Sequence, residues 1–263
     1  MLLKMTRRNL IAATATAGLA STAMQAQKFP PQSFIELTYY WCRNSADNQM
    51  QRVTDFLKDA MAPAAEKAGV LGHGYFGQLV APKGPFALSL MGFPSLAGIQ
   101  DIKRKMFSNP ALAKAVEKFS TTPGLTFTRI ESRLMRGFPT FPEIQTPEAK
   151  TTSRVFELRT YESNNFGSLG SKIGMFGNGE IDIFRKVGMT PVFFGETIYG
   201  PDMPNLTYML GYDSLAHREK TWSAFVSDPD WVKLRATPGL SDAEVVSNIS
   251  STFLRPLSFS PIR

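Results

Sequence analysis

The sequence is poor in the residues that build disulfide frameworks and zinc cages. It has one cysteine and two histidines in 263 residues. These counts exclude a disulfide scaffold and a Cys/His metal cage, so no metal site is predicted. No stretch of about 18 apolar residues occurs, and therefore no membrane-spanning helix is predicted either. Only 19% of the residues are charged while 43% are hydrophobic, which is typical of a globular chain with a buried core.

The N-terminus has the pattern of an export signal. Lys4, Arg7 and Arg8 precede a short, weakly apolar run over residues 10–20. The arginine pair ahead of this run resembles a twin-arginine signal, so we expect residues 1–26 to be a signal peptide and the protein to be periplasmic or secreted. A basic N-terminal helix that stays attached is the alternative. Without residues 1–26, the chain has 26 basic and 22 acidic residues, and this surplus of positive charge is too small to indicate a nucleic-acid or membrane partner.

The remainder of the chain contains an internal repeat. Short similar segments recur in the same order about 119 residues later in the chain. The pairs are 66–70 with 185–189, 92–97 with 211–216, 108–110 with 227–229, and 122–125 with 237–240. We therefore predict two tandem units, residues 34–138 and 154–258, joined by a linker over residues 139–153 that is rich in proline and threonine.

Each unit is predicted to have the order βαββαβ, the ferredoxin-like motif of an α+β fold. β-Branched and aromatic runs indicate the strands, and apolar spacing indicates the helices. In the first unit, Gly69 would end the first helix, Ser95 would cap the second and Pro110 would break it. Gly188, Ser214 and Pro229 hold the same places in the second unit.

The second unit resembles a known family. It has Phe-Glu-Leu-Arg-Thr-Tyr at 156–161, Tyr-Asp-Ser-Leu-Ala-His-Arg-Glu at 212–219 and two tryptophans within 222–231. These segments are similar to those of NIPSNAP domains, which belong to the dimeric α/β-barrel superfamily; the first unit resembles them more weakly. The resemblance implies that the antiparallel sheets of the two units form one pseudo-dimeric α/β barrel. It implies little about activity, because that of the family is poorly defined.

The alternation along the strands predicts which side chains face the barrel interior. Residues two apart share a face of a strand. We expect the apolar face of each first strand, with Ile35 and Leu37 or with Phe156 and Leu158, to meet the helices. The opposite face, together with the polar face of the last strand, would then line the barrel. The candidate ligand-binding residues on that polar face are Glu36, Tyr40, Arg129, Arg133, Glu157, Arg159 and Tyr161.

This polar face has two interpretations. In the structural one, the glutamates pair with neighbouring arginines and fix the register of the two halves, since buried charges persist only when paired. In the functional one, the face forms a small-molecule pocket, with Arg159 as an anchor for an anion and Tyr40 and Tyr161 as walls.

Three classes of function follow from these observations. We predict an exported protein that binds a small ligand or a protein partner without catalysis. The sequence contains no nucleophile triad, metal cluster or phosphate-binding loop, and we expect no cofactor. Its histidines, His73 and His217, lie at a turn and at a helix start. A small-molecule oxygenase or isomerase of the kind found in the superfamily is the alternative, and a purely structural module is the third class. Association into a homo-oligomer is left open.

Overall fold

The computed structural model describes residues 32–148, 150 and 152–263. The predicted export signal, residues 1–26, lies outside this range. Within the described residues, no helix combines the length and the apolar character needed to cross a membrane.

The first unit has the predicted order of elements. Its strands and helices are β1 (Phe34–Trp41), α1 (Gln49–Phe56), α2 (Ala62–Ala68), β2 (His73–Val80), β3 (Phe86–Phe93), α3 (Leu96–Phe107), α4 (Pro110–Thr121) and β4 (Arg129–Gly137). A π-helical turn, Leu57–Met61, joins α1 to α2. The last strand begins two residues later than the sequence pattern indicates.

The second unit repeats this order. Its strands and helices are β5 (Val155–Glu162), α5 (Phe166–Met175), α6 (Ile181–Lys186), β6 (Thr190–Tyr199), β7 (Asn205–Tyr212), α7 (Leu215–Ser227), α8 (Pro229–Arg235), α9 (Asp242–Val245) and β8 (Asn248–Pro256). The first helix is again interrupted at the equivalent place, Phe176–Glu180, here by a kink at Asn178 and Gly179, whose backbone is not helical. The interruption at the same place in both units adds a structural likeness to the repeated sequence.

The predicted helix boundaries are confirmed by their caps. The Ser95 hydroxyl accepts a hydrogen bond from the backbone N–H of Gly98 at 2.9 Å and so caps α3. Gly69 ends α2 with a φ of 83°, a left-handed conformation that glycine adopts without the clash of a Cβ atom. Pro110 begins α4, where its missing N–H leaves no helical hydrogen bond unmade.

The eight strands form one closed antiparallel barrel. The strand order is β1-β3-β2-β8-β5-β7-β6-β4, in which each unit contributes four neighbouring strands. Two pairings join the units, β2 with β8 and β4 with β6. The prediction of two ferredoxin-like units in a pseudo-dimeric α/β barrel is therefore confirmed, and the helices of both units lie outside the sheet.

The interior of the barrel is apolar, which contradicts the predicted orientation of β1 and β5. One buried cluster contains strand residues of both units and none from a helix, so it fills the barrel. It includes Ile35, Leu37, Phe156 and Leu158, the residues expected to face the helices. An eight-stranded barrel is just wide enough for its inward side chains to fill. Apolar side chains can fill that narrow space without partners, whereas charged ones would each need a buried partner.

The linker contributes to the barrel instead of passing outside it. Ile144 is buried in the interior cluster, beside Ile262 from the C-terminal tail. The backbone N–H of Gln145 donates to the carbonyl of Val192 at 2.8 Å, and that of Ser33 to the carbonyl of Pro142 at 3.0 Å. These hydrogen bonds tie the linker to β6 and to the residue that precedes β1.

Candidate functional site

The polar face of β1 and β5 lies against the helices, so each unit has a polar layer between sheet and helices. The register of the strands relates the two layers position by position. In β1, Thr38 lies between Ser89 of β3 and Ser132 of β4. In β5, Arg159 lies between Tyr208 of β7 and Ser251 of β8. Glu36 and Glu157 are likewise equivalent, as predicted.

Glu157 is the centre of a buried hydrogen-bond network in the second unit. Its side chain is fully buried. Arg218 of α7 donates to both carboxylate oxygens at 2.9 Å. Arg159 donates to Oε1 at 2.6 Å and the Ser251 hydroxyl donates to the same oxygen at 2.7 Å. Trp222 adds its indole N–H at 3.2 Å to Oε2. We call these five residues the Glu157 network.

The network keeps Glu157 ionised. Burial alone would raise the pKa of this carboxyl group, but the hydrogen bonds from Arg218 and the charge of Arg159 lower it to about 2. With two arginines and one carboxylate, the Glu157 network has a net positive charge. This supports the structural interpretation for the second unit, because every hydrogen-bonding direction of the carboxylate is taken by the protein itself.

Large side chains fill the rest of this layer. The Arg159 guanidinium stacks on the Trp222 ring at 4.5 Å and lies 5.4 Å from the Tyr161 ring. The Tyr208 hydroxyl donates to the Tyr161 hydroxyl at 2.8 Å. Burial and the neighbouring hydroxyl of Tyr161 raise the pKa of Tyr208 far above its ordinary value, so it stays protonated. Arg159 and Tyr161 thus serve in packing and hydrogen bonding within this layer.

A second buried ion pair supports the same layer. Lys172 of α5 lies 3.1 Å from Glu180, and both side chains are almost fully buried. The lysine ammonium also lies 5.0 Å from the ring of Phe176 and 5.3 Å from that of Trp231. Burial raises the pKa of Glu180. The rings and the carboxylate together compensate the buried ammonium.

The equivalent layer of the first unit is open. It contains a cavity of about 180 Å³. Its polar lining consists of Glu36, Thr38, Tyr40, Ser89, Lys103 and Ser132, and its apolar lining consists of Met61, Met91, Met106 and Phe107. We call this space the first-unit cavity.

The first-unit cavity exists because small residues replace large ones. Thr38 stands where the second unit has Arg159, and Ser89 stands where it has Tyr208. Lys103 of α3 is at the place of Trp222, by the offset of 119 residues that the repeat gives. The space that the second unit fills with its own guanidinium and rings is therefore empty of protein atoms in the first.

The polar groups of this cavity form a smaller set than the Glu157 network. The Lys103 ammonium donates to Glu36 Oε2 at 2.6 Å, and the Thr38 hydroxyl donates to Oε1 at 3.4 Å. Thr38 also shares a hydrogen bond of 3.0 Å with Ser132. Burial raises the pKa of Tyr40 to about 12, so that its hydroxyl remains protonated and can donate.

Arg129 and Arg133 lie apart from both glutamates. Their side chains lie on the face of β4 that points away from the helices, at the end of the barrel interior, as predicted. Arg133 reaches Thr160 at 3.4 Å across the barrel and lies 6.0 Å from the Tyr39 ring. Arg129 lies over the Trp41 ring at 4.8 Å. The expected contact of Glu36 and Glu157 with these arginines is wrong, since the sheet separates them.

Sequence reasoning missed the helix residues that complete each layer. Arg218 and Trp222 bind Glu157, and Lys103 binds Glu36. The signal was present in the repeat: aligning the units shows Tyr208 against Ser89 and Arg159 against Thr38. At these two positions the first unit has the smaller side chain, and this difference marks the cavity. In the part of the chain that the structure describes, no group of three or more His, Cys, Asp or Glu side chains is arranged to hold a metal.

Comparison with known proteins agrees with this architecture. The NIPSNAP family model matches residues 156–261. None of the curated proteins matches the sequence. Among solved structures, a candidate monooxygenase from Lactobacillus acidophilus is similar with a TM-score of 0.57 at 12% identity, covering 86% of this chain and 94% of that one.

Two further structures have the same fold. A candidate monooxygenase from Fusobacterium nucleatum gives a TM-score of 0.58 at 8% identity, over 86% of this chain and 93% of its own. An anthrone oxidase-like protein gives 0.52 at 13% identity, over 88% and 94%. At these identities the likeness concerns the fold alone. The family match covers the second unit, so residues 156–261 are similar to a NIPSNAP domain, and the solved structures share the barrel fold.

Proposed function

We propose that this protein binds a small organic molecule in the first-unit cavity and acts as a binding protein. The observation that carries the proposal is the difference between two equivalent layers of one chain. The second layer is filled by its own side chains, whereas the first has a cavity of about 180 Å³ between sheet and helices. A mainly apolar concavity with a few convergent polar groups is the usual form of a small-molecule site.

The chemistry of the cavity supports binding. Glu36, Lys103 and Tyr40 supply an acceptor, a cation and a hydroxyl to the lining, and three methionines supply adaptable apolar surface. Methionine side chains have three rotatable bonds and adjust to ligands of different outline. Such a lining suits recognition of a compact molecule that has both a polar and an apolar part.

A variant that closes the cavity tests the proposal. Ser89→Tyr introduces the residue that the second unit has at the same place, Tyr208. Native mass spectrometry of wild-type protein purified from its own host should show a bound small molecule, and the variant should have lost it. Ser120→Tyr, an equal change on the exposed surface of α4, is the control and should keep the ligand.

Two outcomes would contradict the proposal. If Ser89→Tyr retains the molecule at the wild-type level, the ligand lies elsewhere. If the molecule released from wild-type protein is converted to a product on incubation with fresh protein in air, the alternative of an oxygenase or isomerase replaces simple binding.

We also propose that the protein is exported by the twin-arginine route. The proposal rests on Arg7 and Arg8 ahead of a weakly apolar run, with no acidic residue before Glu36. Changing both arginines to lysine should leave the precursor in the cytoplasm, as measured by fractionation and immunoblotting of the host. Changing Lys4 to arginine is the control and should not alter export. Normal periplasmic yield of the double variant would contradict the route.

A further inference from the structure

The first-unit cavity contains a carboxylate with unused hydrogen-bonding capacity. In the second unit, Glu157 accepts hydrogen bonds from two arginines, a serine and a tryptophan. In the first unit, its equivalent Glu36 accepts one short bond from Lys103 and one long bond from Thr38. A largely buried carboxylate with two oxygens can accept about four hydrogen bonds. Glu36 therefore has room for further donors on its cavity side.

The missing donor has a defined place. Arg159 binds Glu157 at 2.6 Å and the Tyr161 hydroxyl at 3.2 Å. The equivalents of these two partners, Glu36 and Tyr40, both line the first-unit cavity, but Thr38 offers Glu36 only a hydroxyl at 3.4 Å in place of a guanidinium. The duplicated fold thus keeps the two acceptors for a guanidinium group and omits the group.

We infer that the ligand of the first-unit cavity is a small organic cation, an amine, amidine or guanidine on an apolar body. Its charged end would take the place of the Arg159 guanidinium against Glu36 and Tyr40. Its apolar part would pack on Met61, Met91 and Met106. This inference rests on the proposed function, because it assigns a chemical class to the ligand of the same site.

Lys103 is the charge with which such a ligand must compete. Its side chain is 39% exposed, and α3 places it at the border of the cavity. The ammonium can therefore turn to water when a ligand donor arrives, whereas Glu36 is held in the strand. A planar guanidinium or amidinium is more weakly hydrated than an ammonium group and fits a carboxylate with two parallel bonds. An anionic ligand would be attracted by the Lys103 ammonium, but it would also lie beside the Glu36 carboxylate, which would repel it.

An isosteric series tests the class of ligand. Benzamidine, benzamide and benzoate have nearly the same shape and carry a positive, no and a negative charge. In calorimetric titrations of ligand-free wild-type protein, benzamidine should bind tighter than benzamide by a factor of about 10 or more, the effect expected of a charged hydrogen bond. Benzoate should bind weakest of the three.

Variants at two positions make the test specific. Glu36→Gln keeps the shape and should remove the preference for benzamidine over benzamide, while Glu117→Gln, the same change at an exposed position, should keep it. Thr38→Arg should supply the missing guanidinium and abolish binding of benzamidine. Circular dichroism and the melting temperature of each variant confirm that it is folded.

The outcomes separate this inference from the proposed function. Equal binding of benzamidine and benzamide, or tightest binding of benzoate, overturns the cationic class. The cavity is still supported as the binding site if Ser89→Tyr abolishes the binding of these compounds. Binding of none of the three compounds also overturns the class. In that case, a host molecule that copurifies with the wild-type protein but not with Ser89→Tyr would still support the cavity as the ligand site. If no such molecule copurifies, both the proposed function and the cationic class are overturned.

Discussion

At the scale of single residues, the two equivalent glutamates have different surroundings. Glu157 is enclosed by cationic and neutral donors, whereas Glu36 borders an empty space and one partly exposed lysine. Buried charge is tolerated where the fold brings partners to it, and it becomes available for recognition where one partner is missing. This contrast within one chain is the physical basis for assigning a structural role to the second layer and a binding role to the first.

The ionisation of Glu157 should make stability depend on pH. Its pKa is about 2 in the folded protein and about 4.5 without these partners, so its contribution is complete above pH 4.5 and is lost as the pH falls to 2. The wild-type protein should therefore be more stable than Glu157→Gln by about 3 kcal/mol at pH 6, and the difference should vanish near pH 2. Urea unfolding at both pH values measures it.

Glu117→Gln is the control for this experiment, because it removes an exposed carboxylate of α4. It should match the wild-type protein at both pH values. Comparing each variant with the wild type at the same pH removes the contribution of Glu180, whose raised pKa acts in the opposite direction. A stability difference for Glu157→Gln that does not change between pH 6 and pH 2 would contradict the assigned role of its charge.

The sequence was a poor guide at this scale for a physical reason. In β1 and β5 both faces are buried, one in the barrel and one under helices, so alternation of polar and apolar residues predicts two faces but not which is inside. Glu36 and Glu157 were expected beside Arg129 and Arg133 and lie on the other side of the sheet. The polar face of β4, with Arg129 and Arg133, was correctly predicted to lie on the barrel side of the sheet.

At the scale of elements, the sequence predicted the order of the strands and main helices and most of the helix ends. The caps Ser95 and Ser214, the helix-ending glycines and the helix starts at Pro110 and Pro229 all act over a few residues, and local patterns determine them. The π-helical turn Leu57–Met61 and the kink at the same place in the second unit were not predicted. Apolar spacing does not distinguish one wider turn from the α-helix on either side.

The comparison of β3 with β7 predicts how the closed layer could be opened. Tyr208 of β7 is fully buried against four other aromatic rings, whereas its equivalent on β3 is Ser89. Tyr208→Ser should create a cavity in the second unit and lower the free energy of unfolding by about 3–5 kcal/mol. Chemical denaturation measures this loss.

Tyr199→Ser is the matched control, since Tyr199 of β6 is 75% exposed. It should change the free energy of unfolding by no more than about 0.5 kcal/mol. Equal effects of the two substitutions would mean that the aromatic layer of the second unit contributes little to stability.

At the scale of the whole molecule, the repeat predicted two units, and the resemblance to NIPSNAP domains predicted that their sheets form one barrel. Two copies of a βαββαβ unit on one chain supply both halves of an assembly that single units form by association. The linker and the C-terminal tail were harder to foresee, because Ile144 and Ile262 enter the barrel through contacts between segments far apart in sequence. The result is an apolar barrel with two unequal outer layers, one closed and one open.

The central claim, that the ligand site is the open layer of the first unit, can be tested at single methyl groups. In NMR spectra of protein labelled at the methionine methyls, titration with benzamidine or benzamide should shift Met61, Met91 and Met106, which line the first-unit cavity. Met175 and Met189 of the closed layer and Met209 of the barrel interior should not move. Shifts at Met209 or at the closed layer, with the first-unit methionines unchanged, would contradict the account.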